Sequence, residues 1–156
     1  MTAGLPAAVV DSSALICIAK SEPAANYFLQ ELAATDQLYM SAATQAEIIL
    51  ATMSIMEDGA LDSMEALIAS LKITTVDFSG ADVRAYRQAA MAYHLKARPP
   101  GALNMGDIFS FQLAQKMDIP LFFQGKDFLK TPVRNAMEML GYEMNVQNLG
   151  VPRPMT

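Results

Sequence analysis

The chain has 156 residues, 53% of them apolar, and a formal charge of −5, a size and balance that suit one domain with a sizeable core. No stretch approaches the roughly 18 unbroken apolar residues of a bilayer span, the first residues lack the basic group of a secretory signal, and the single cysteine, Cys17, excludes an intrachain disulfide or a multi-thiol zinc site. A cytoplasmic protein with no membrane segment is therefore expected, and its acidic balance argues against binding nucleic acid through net charge alone.

In chain order, Ala7 to Val10 reads as a first strand, apolar on both faces as parallel strands are. A short helix should follow Asp11. Ser21-Glu22-Pro23 has the form of a helix start, with the helix continuing to about Thr35. Leu38-Tyr39-Met40 reads as a second strand, and Ser41 as the cap of a helix running to about Met56, where Asp58-Gly59 breaks it. Leu61 to Leu71 is the return helix of a hairpin. Ile73 to Phe78 reads as a third strand and Asp82 to about Leu95 as a helix, followed by a loop at Arg98-Pro99-Pro100-Gly101. Another helix starts at Asn104 or Asp107. Pro120 to Phe123 is a fourth strand, Gly125-Lys126-Asp127 leads into a short helical piece, and Val133 to Leu140 reads as a last helix ending at Gly141. Residues 145–156, with Gly150, Pro152 and Pro154, read as a loose tail after a single domain of residues 1–144. Strands alternating with helices at these intervals imply an α/β fold with a mostly parallel sheet of four or five strands between two helical layers.

In such folds ligands gather at the carboxyl ends of the strands, and acids recur there: Asp11, Glu47, Asp107 and Asp127, each among apolar residues. Each has a local explanation. Asp11 can cap the first helix, Glu47 fits capping-box spacing from Thr44, Asp107 can favour a helix start near Asn104, and Asp127 can serve a turn. A shared cation accounts for all four together, since Mg²⁺ and Mn²⁺ prefer oxygen ligands. Without one, like charges should raise one another's pKa values. The lone histidine, His94, lies in a polar stretch, Cys17 reads as core, and neither GxGxxG nor GxxxxGK[ST] is present, so triad, Rossmann and P-loop chemistry are unsupported. The basic groups Lys126, Lys130, Arg134 and Arg84, Arg87, Lys96, Arg98 offer either local positive patches or solvated helix faces.

Four segments, VVDSSALI, SAATQAEIIL, ALNMGDIFSFQLA and PLFFQGKDFLKT, resemble the PIN-domain family, and within it the VapC-type toxin ribonucleases of toxin–antitoxin pairs. The third and fourth are similar to the family blocks LNFGDCFSYALA and LLFKGDDFxxTD. The resemblance implies an endoribonuclease using Mg²⁺ or Mn²⁺, with Asp11, Glu47, Asp107 and Asp127 at the acidic positions, Ser13 as a hydroxyl near the metal and Thr131 as the threonine after the DF pair. It further implies an RNA substrate, a homodimer and a small antitoxin. Lys126 replaces an additional family Asp, where it could contact phosphate instead, and Pro132 replaces an acid. Two other readings stand beside this one: a catalytically weak PIN-fold module that binds RNA or protein, and a phosphotransfer protein with Asp11 as nucleophile, although Asp11-Ser12-Ser13 lacks the second Asp of a DxD signature.

Overall fold

The structure is a computed structural model that describes residues 3–55, 57–94, 102–145 and 151–155. Its strands are β1 (Ala8–Val10), β2 (Leu38–Ser41), β3 (Thr74–Val76), β4 (Leu121–Phe122), β5 (Tyr142–Asn145) and β6 (Val151–Pro154). Its helices are α1 (Ser12–Ala19), α2 (Ala25–Ala34), α3 (Ala42–Met53), α4 (Ala60–Ser70), α5 (Val83–Tyr93), α6 (Met105–Met117) and α7 (Ala136–Met139), with a 3-10 turn at Gly80–Asp82. The central sheet has the order β3-β2-β1-β4 with every pairing parallel, as the alternation of strands and helices requires. No helix among the described residues is long and apolar enough to cross a membrane.

β1 is fully buried because it lies between β2 and β4 and under helices, so Ala8, Val9 and Val10 retain no exposure. Leu15, Phe28, Leu32, Met40, Ile48, Met64, Phe122 and Met137 close the core around it. This central position fixes the direction of the chain where β1 ends, at Asp11.

Several boundaries differ from those expected, each for a local reason. α2 starts at Ala25 rather than beside Ser21, which sits in the left-handed region at φ 51°. β3 is limited to Thr74–Val76 because it is an edge strand whose two threonines face solvent. The piece after Gly125 is a set of turns, with Leu129 N–H donating to Lys126 C=O, rather than a helix. The last helix is confined to Ala136–Met139, since Asn135 caps it and residues before it run alongside Leu121 of β4. The expected helix ends at Met56 and Leu95 and the loop at 98–101 lie outside the described residues.

The expected loose tail is corrected at Val151–Pro154, which pairs antiparallel with β5 in a second, two-stranded sheet. Its prolines do not prevent this. Pro152 and Pro154 alternate with Arg153 and Met155, and Met155 N–H donates to Gly141 C=O at 3.4 Å, so the residues without an N–H take the positions that need no donor toward β5. Residues 146–150 lie outside the described residues.

β5 is anchored to α2 by Tyr142, whose hydroxyl donates to buried Glu31 at 2.8 Å while its ring lies 5.6 Å from that of Tyr27. Glu31 is only 2% exposed, so its carboxylate depends on that donor. Tyr142→Phe should lower the unfolding free energy by about 1–3 kcal/mol, because a buried acceptor loses its partner. Urea melts of the two proteins would measure this; an unchanged midpoint would show that Glu31 is satisfied in some other way.

Candidate active site: an acidic cluster at the sheet edge

Asp11 follows β1 and caps α1, accepting from Ser13 N–H at 3.1 Å. The cap accounts for only part of its bonding. Ser13 Oγ donates to the same carboxylate oxygen at 2.6 Å, and Ser110 Oγ, from α6, donates to the other at 2.5 Å. Because the Ser110 proton is committed to Asp11, Thr44 of α3 must be the donor in the 3.3 Å contact between their hydroxyls. Ser13 Oγ also accepts from Gln124 N–H at 3.0 Å, which ties the end of β4 to the start of α1.

Glu47 lies in α3, a helix capped by Ser41 rather than by Thr44. The expected capping box therefore does not form, and Glu47 accepts from Ser12 Oγ at 2.7 Å instead. Its carboxylate lies against Gly106: a Cβ built there would be 1.5 Å from Glu47 Oε2. Glycine is needed at this place because helix α6 passes so close to the acid.

Asp107 is both a cap and a member of the cluster. Asn104 accepts from Asp107 N–H and Asp107 accepts from Asn104 N–H, each at 2.9 Å, which forms a capping box at the start of α6. Burial pushes its carboxyl up to about 7, opposed by the Asn104 N–H and reinforced by the charges of Asp11, Asp127 and Glu47. Burial likewise raises the Asp11 carboxyl, against the bonds from Ser110 and Ser13 and with help from Glu47.

The structure thus brings Asp11, Glu47 and Asp107 together, with Ser13 among them. Asp127 is exposed on the rim, near enough for its charge to act on Asp107. Lys126 is half-exposed beside it. Thr131 is not brought in: its hydroxyl donates to Phe128 C=O at 2.7 Å within the turn. Ser12, Thr44, Gly106 and Ser110 are further participants that the acid pattern did not reveal. Ser110 had one signal, as a small polar residue three after Asp107 in an apolar helix and hence on the same face.

The site's donors are carboxylate and hydroxyl oxygens, the set that suits a hard divalent cation. The carboxylates of Asp11, Glu47 and Asp107 are nevertheless each oriented by a protein donor, and among the described residues no three acids, histidines or cysteines form a ready-made cation cage. Thiol chemistry is remote, since burial pushes Cys17 up to about 12. His94 is engaged at Nδ1 with Leu103 C=O at 2.6 Å.

Residues 8–133, which span all four acids, match the PIN domain family. The chain belongs to this family. Ribonuclease VapC42 of Mycobacterium tuberculosis is 31% identical over 134 residues, which cover 82% of this PIN protein and 98% of the relative. A chain of the VapBC2 complex of Rickettsia felis, solved with a DNA fragment from its promoter, is similar with a TM-score of 0.63 at 15% identity, over 83% of this chain and 96% of that one. Mycobacterium tuberculosis VapC20, described as a toxin cleaving the sarcin-ricin loop, gives a TM-score of 0.65 at 13% identity over 80% and 95%. The two structural likenesses carry the PIN fold; the β5–β6 hairpin lies beyond the residues that match the family.

A proton on Asp107 has a consequence for stability. The folded carboxyl keeps its proton up to about 7, whereas an ordinary Asp releases it near 3.8. Between those values the folded state binds more protons, so metal-free stability should fall as pH rises from about 4 through about 7. Asp107→Asn keeps an oxygen for the Asn104 N–H and removes the titration. It should raise the melting temperature at neutral pH and change little near about pH 4. Thermal melts across this range in chelator would check it, and parallel pH profiles for the two proteins would contradict it.

Proposed function

We propose that this chain is a metal-dependent endoribonuclease, the toxin of a toxin–antitoxin pair, which hydrolyses RNA phosphodiester bonds at the Asp11–Glu47–Asp107 cluster. The observation that carries this reading is the convergence of three carboxylates, from the end of β1, from α3 and from the start of α6, at the carboxyl edge of the parallel sheet. The VapC ribonuclease relatives support the choice of RNA and of a toxin's role.

Asp11, Glu47 and Asp107 would hold Mg²⁺ or Mn²⁺, with Asp127 joining from the rim. When bound, such an ion supplies positive charge to a phosphate oxygen and acidifies a water. The chain's own residues prepare for this. Ser13 and Ser110 hold both Asp11 oxygens in one orientation, Ser12 does the same for Glu47, and Gly106 leaves room for that carboxylate. Asp107 must give up its proton for the cation to enter, which makes loading favourable at neutral pH and above. Lys126 stands beside Asp127, where its ammonium would meet a phosphate of the substrate. A small antitoxin and assembly as a homodimer complete the proposal.

Purified protein should cut RNA with Mg²⁺ or Mn²⁺ and stop on addition of chelator. Asp11→Asn should reduce the rate by about 100-fold or more, since even residues that only orient metal ligands are worth 10–100-fold. Cleavage that persists through both treatments would remove the mechanism. Tight RNA binding without turnover under any divalent ion would favour the binding module.

Gly106→Ala offers a separate check. The clash it creates is with the far end of a side chain, which can swing away, so the fold should survive. Circular dichroism should be native-like while cleavage falls by about tenfold or more as Glu47 is displaced. Full activity in this variant would exclude Glu47 from the reaction.

A further inference from the structure

Beside the acidic cluster lies a set of aromatic rings that core packing does not fully use. Phe78 follows edge strand β3, Tyr86 lies on α5 and Phe109 on α6. Their ring centroids are 4.9 Å apart for Phe78–Phe109, 4.8 Å for Tyr86–Phe109 and 5.9 Å for Phe78–Tyr86. All three remain half-exposed, unlike the Phe123–Phe128 pair, whose members are 1% and 3% exposed. Tyr86 Oη donates to Met105 C=O at 3.0 Å, which fixes the ring at the first turn of α6, the turn that carries Asp107. Phe78 stands at the carboxyl end of its strand, the same sheet edge as Asp11.

Helix α5, which carries Tyr86, is basic in a chain that is negative overall. α5 carries Arg84 and Arg87, both exposed, and no acid between Val83 and Tyr93. The nearest acids in sequence are Asp77, exposed before Phe78, Asp107 of the acidic cluster, two residues before Phe109, and Asp82, whose carboxylate is held by Lys116 at 2.8 Å. Open aromatic surface on and beside a helix with exposed guanidinium groups, which make no ion pair among the described residues, is a combination that suits single-stranded nucleic acid: rings stack on bases and cations meet phosphates. A duplex keeps its bases stacked inside and could not use it.

We infer that the Phe78–Tyr86–Phe109 cluster is a stacking platform that receives an unpaired base of the RNA and, with Arg84 and Arg87, leads the strand to the acidic site. The inference rests on the ribonuclease reading and names where that substrate lies. The platform determines position and preference rather than chemistry, so these are positioning residues.

The test compares two fluorescent probes, a short mixed-sequence single-stranded RNA and an abasic ribose-phosphate chain of equal length, bound in chelator with RNA integrity followed on gels. Tyr86→Leu, which keeps an apolar side chain against its neighbours, should weaken RNA binding by about tenfold or more and leave the abasic probe unchanged. Arg84→Ala combined with Arg87→Ala should weaken both probes alike and flatten the salt dependence. With metal restored, Tyr86→Leu should raise KM far more than it lowers kcat. Equal losses on both probes for Tyr86→Leu would reduce the rings to a structural role and overturn the inference. Unchanged RNA affinity accompanied by a change of oligomeric state on gel filtration would assign the rings to a protein interface and overturn it too. Wild-type protein that binds RNA normally while Tyr86→Leu matches it refutes the platform alone, whereas wild-type protein that neither binds nor cuts RNA refutes the ribonuclease reading with it.

Discussion

One buried carboxylate holds the architecture of this PIN domain together. Asp11 is 2% exposed, and a charge in that position is costly unless its acceptors are filled. Ser13 fills one oxygen through both backbone and hydroxyl, and Ser110 fills the other across 99 residues of sequence. Each partner is itself tied to another element, Ser13 to the end of β4 through Gln124 and Ser110 to α3 through Thr44. The ends of β1 and β4 and the helices α1, α3 and α6 thus meet at a single side chain. Removing any link leaves a buried polar group without its partner, so the network is as much a structural element as a part of the site.

The same network explains why like charges can be held close. Hydroxyl donors offset the burial of Asp11, and an amide offsets that of Asp107, yet burial and neighbouring charge still raise both carboxyls. Acids gathered in this way are unfavourable on their own, because the geometry that brings them together is the geometry in which they repel. Gly106 belongs to this arrangement in a negative sense. Any side chain there would take the space of the Glu47 carboxylate, so that carboxylate can keep its place against α6 only if the position is bare.

Much of this was legible in the chain itself. The alternation of apolar runs with helix starts revealed the parallel sheet, since strands buried on both faces show unbroken apolar character. For Asp11 and Asp107 the local explanation holds, and it also brings them into the acidic cluster: a helix that starts at the sheet's carboxyl edge presents its capping acid to that edge. Thr44 misled because capping-box spacing carries no information about where a helix begins; Ser41 begins it, and Thr44 turns inward to Ser110. Thr131 misled in the opposite direction, its hydroxyl being used by the turn around Phe128. Ser12 and Ser110 were hidden because a hydroxyl acquires meaning only from its distant partner. The strand at Val151–Pro154 was hidden because composition counts prolines without regard to which side of a strand needs donors.

The site is consequently unequal in its tolerance of change. Asp11 is saturated by donors from distant elements, and substitution there disturbs strands and helices together. Asp127 is exposed, and its segment is a run of turns that starts at Gly125 with φ 107° and is held by short-range bonds such as Leu129 N–H to Lys126 C=O. A side chain in such a segment can change sign at little cost to the fold, because no buried partner depends on it. Lys126 in place of an acid is a change of this kind. It alters the potential at the mouth of the cluster while leaving the network around Asp11 intact, so differences in substrate approach can arise at this corner without rebuilding the acidic centre.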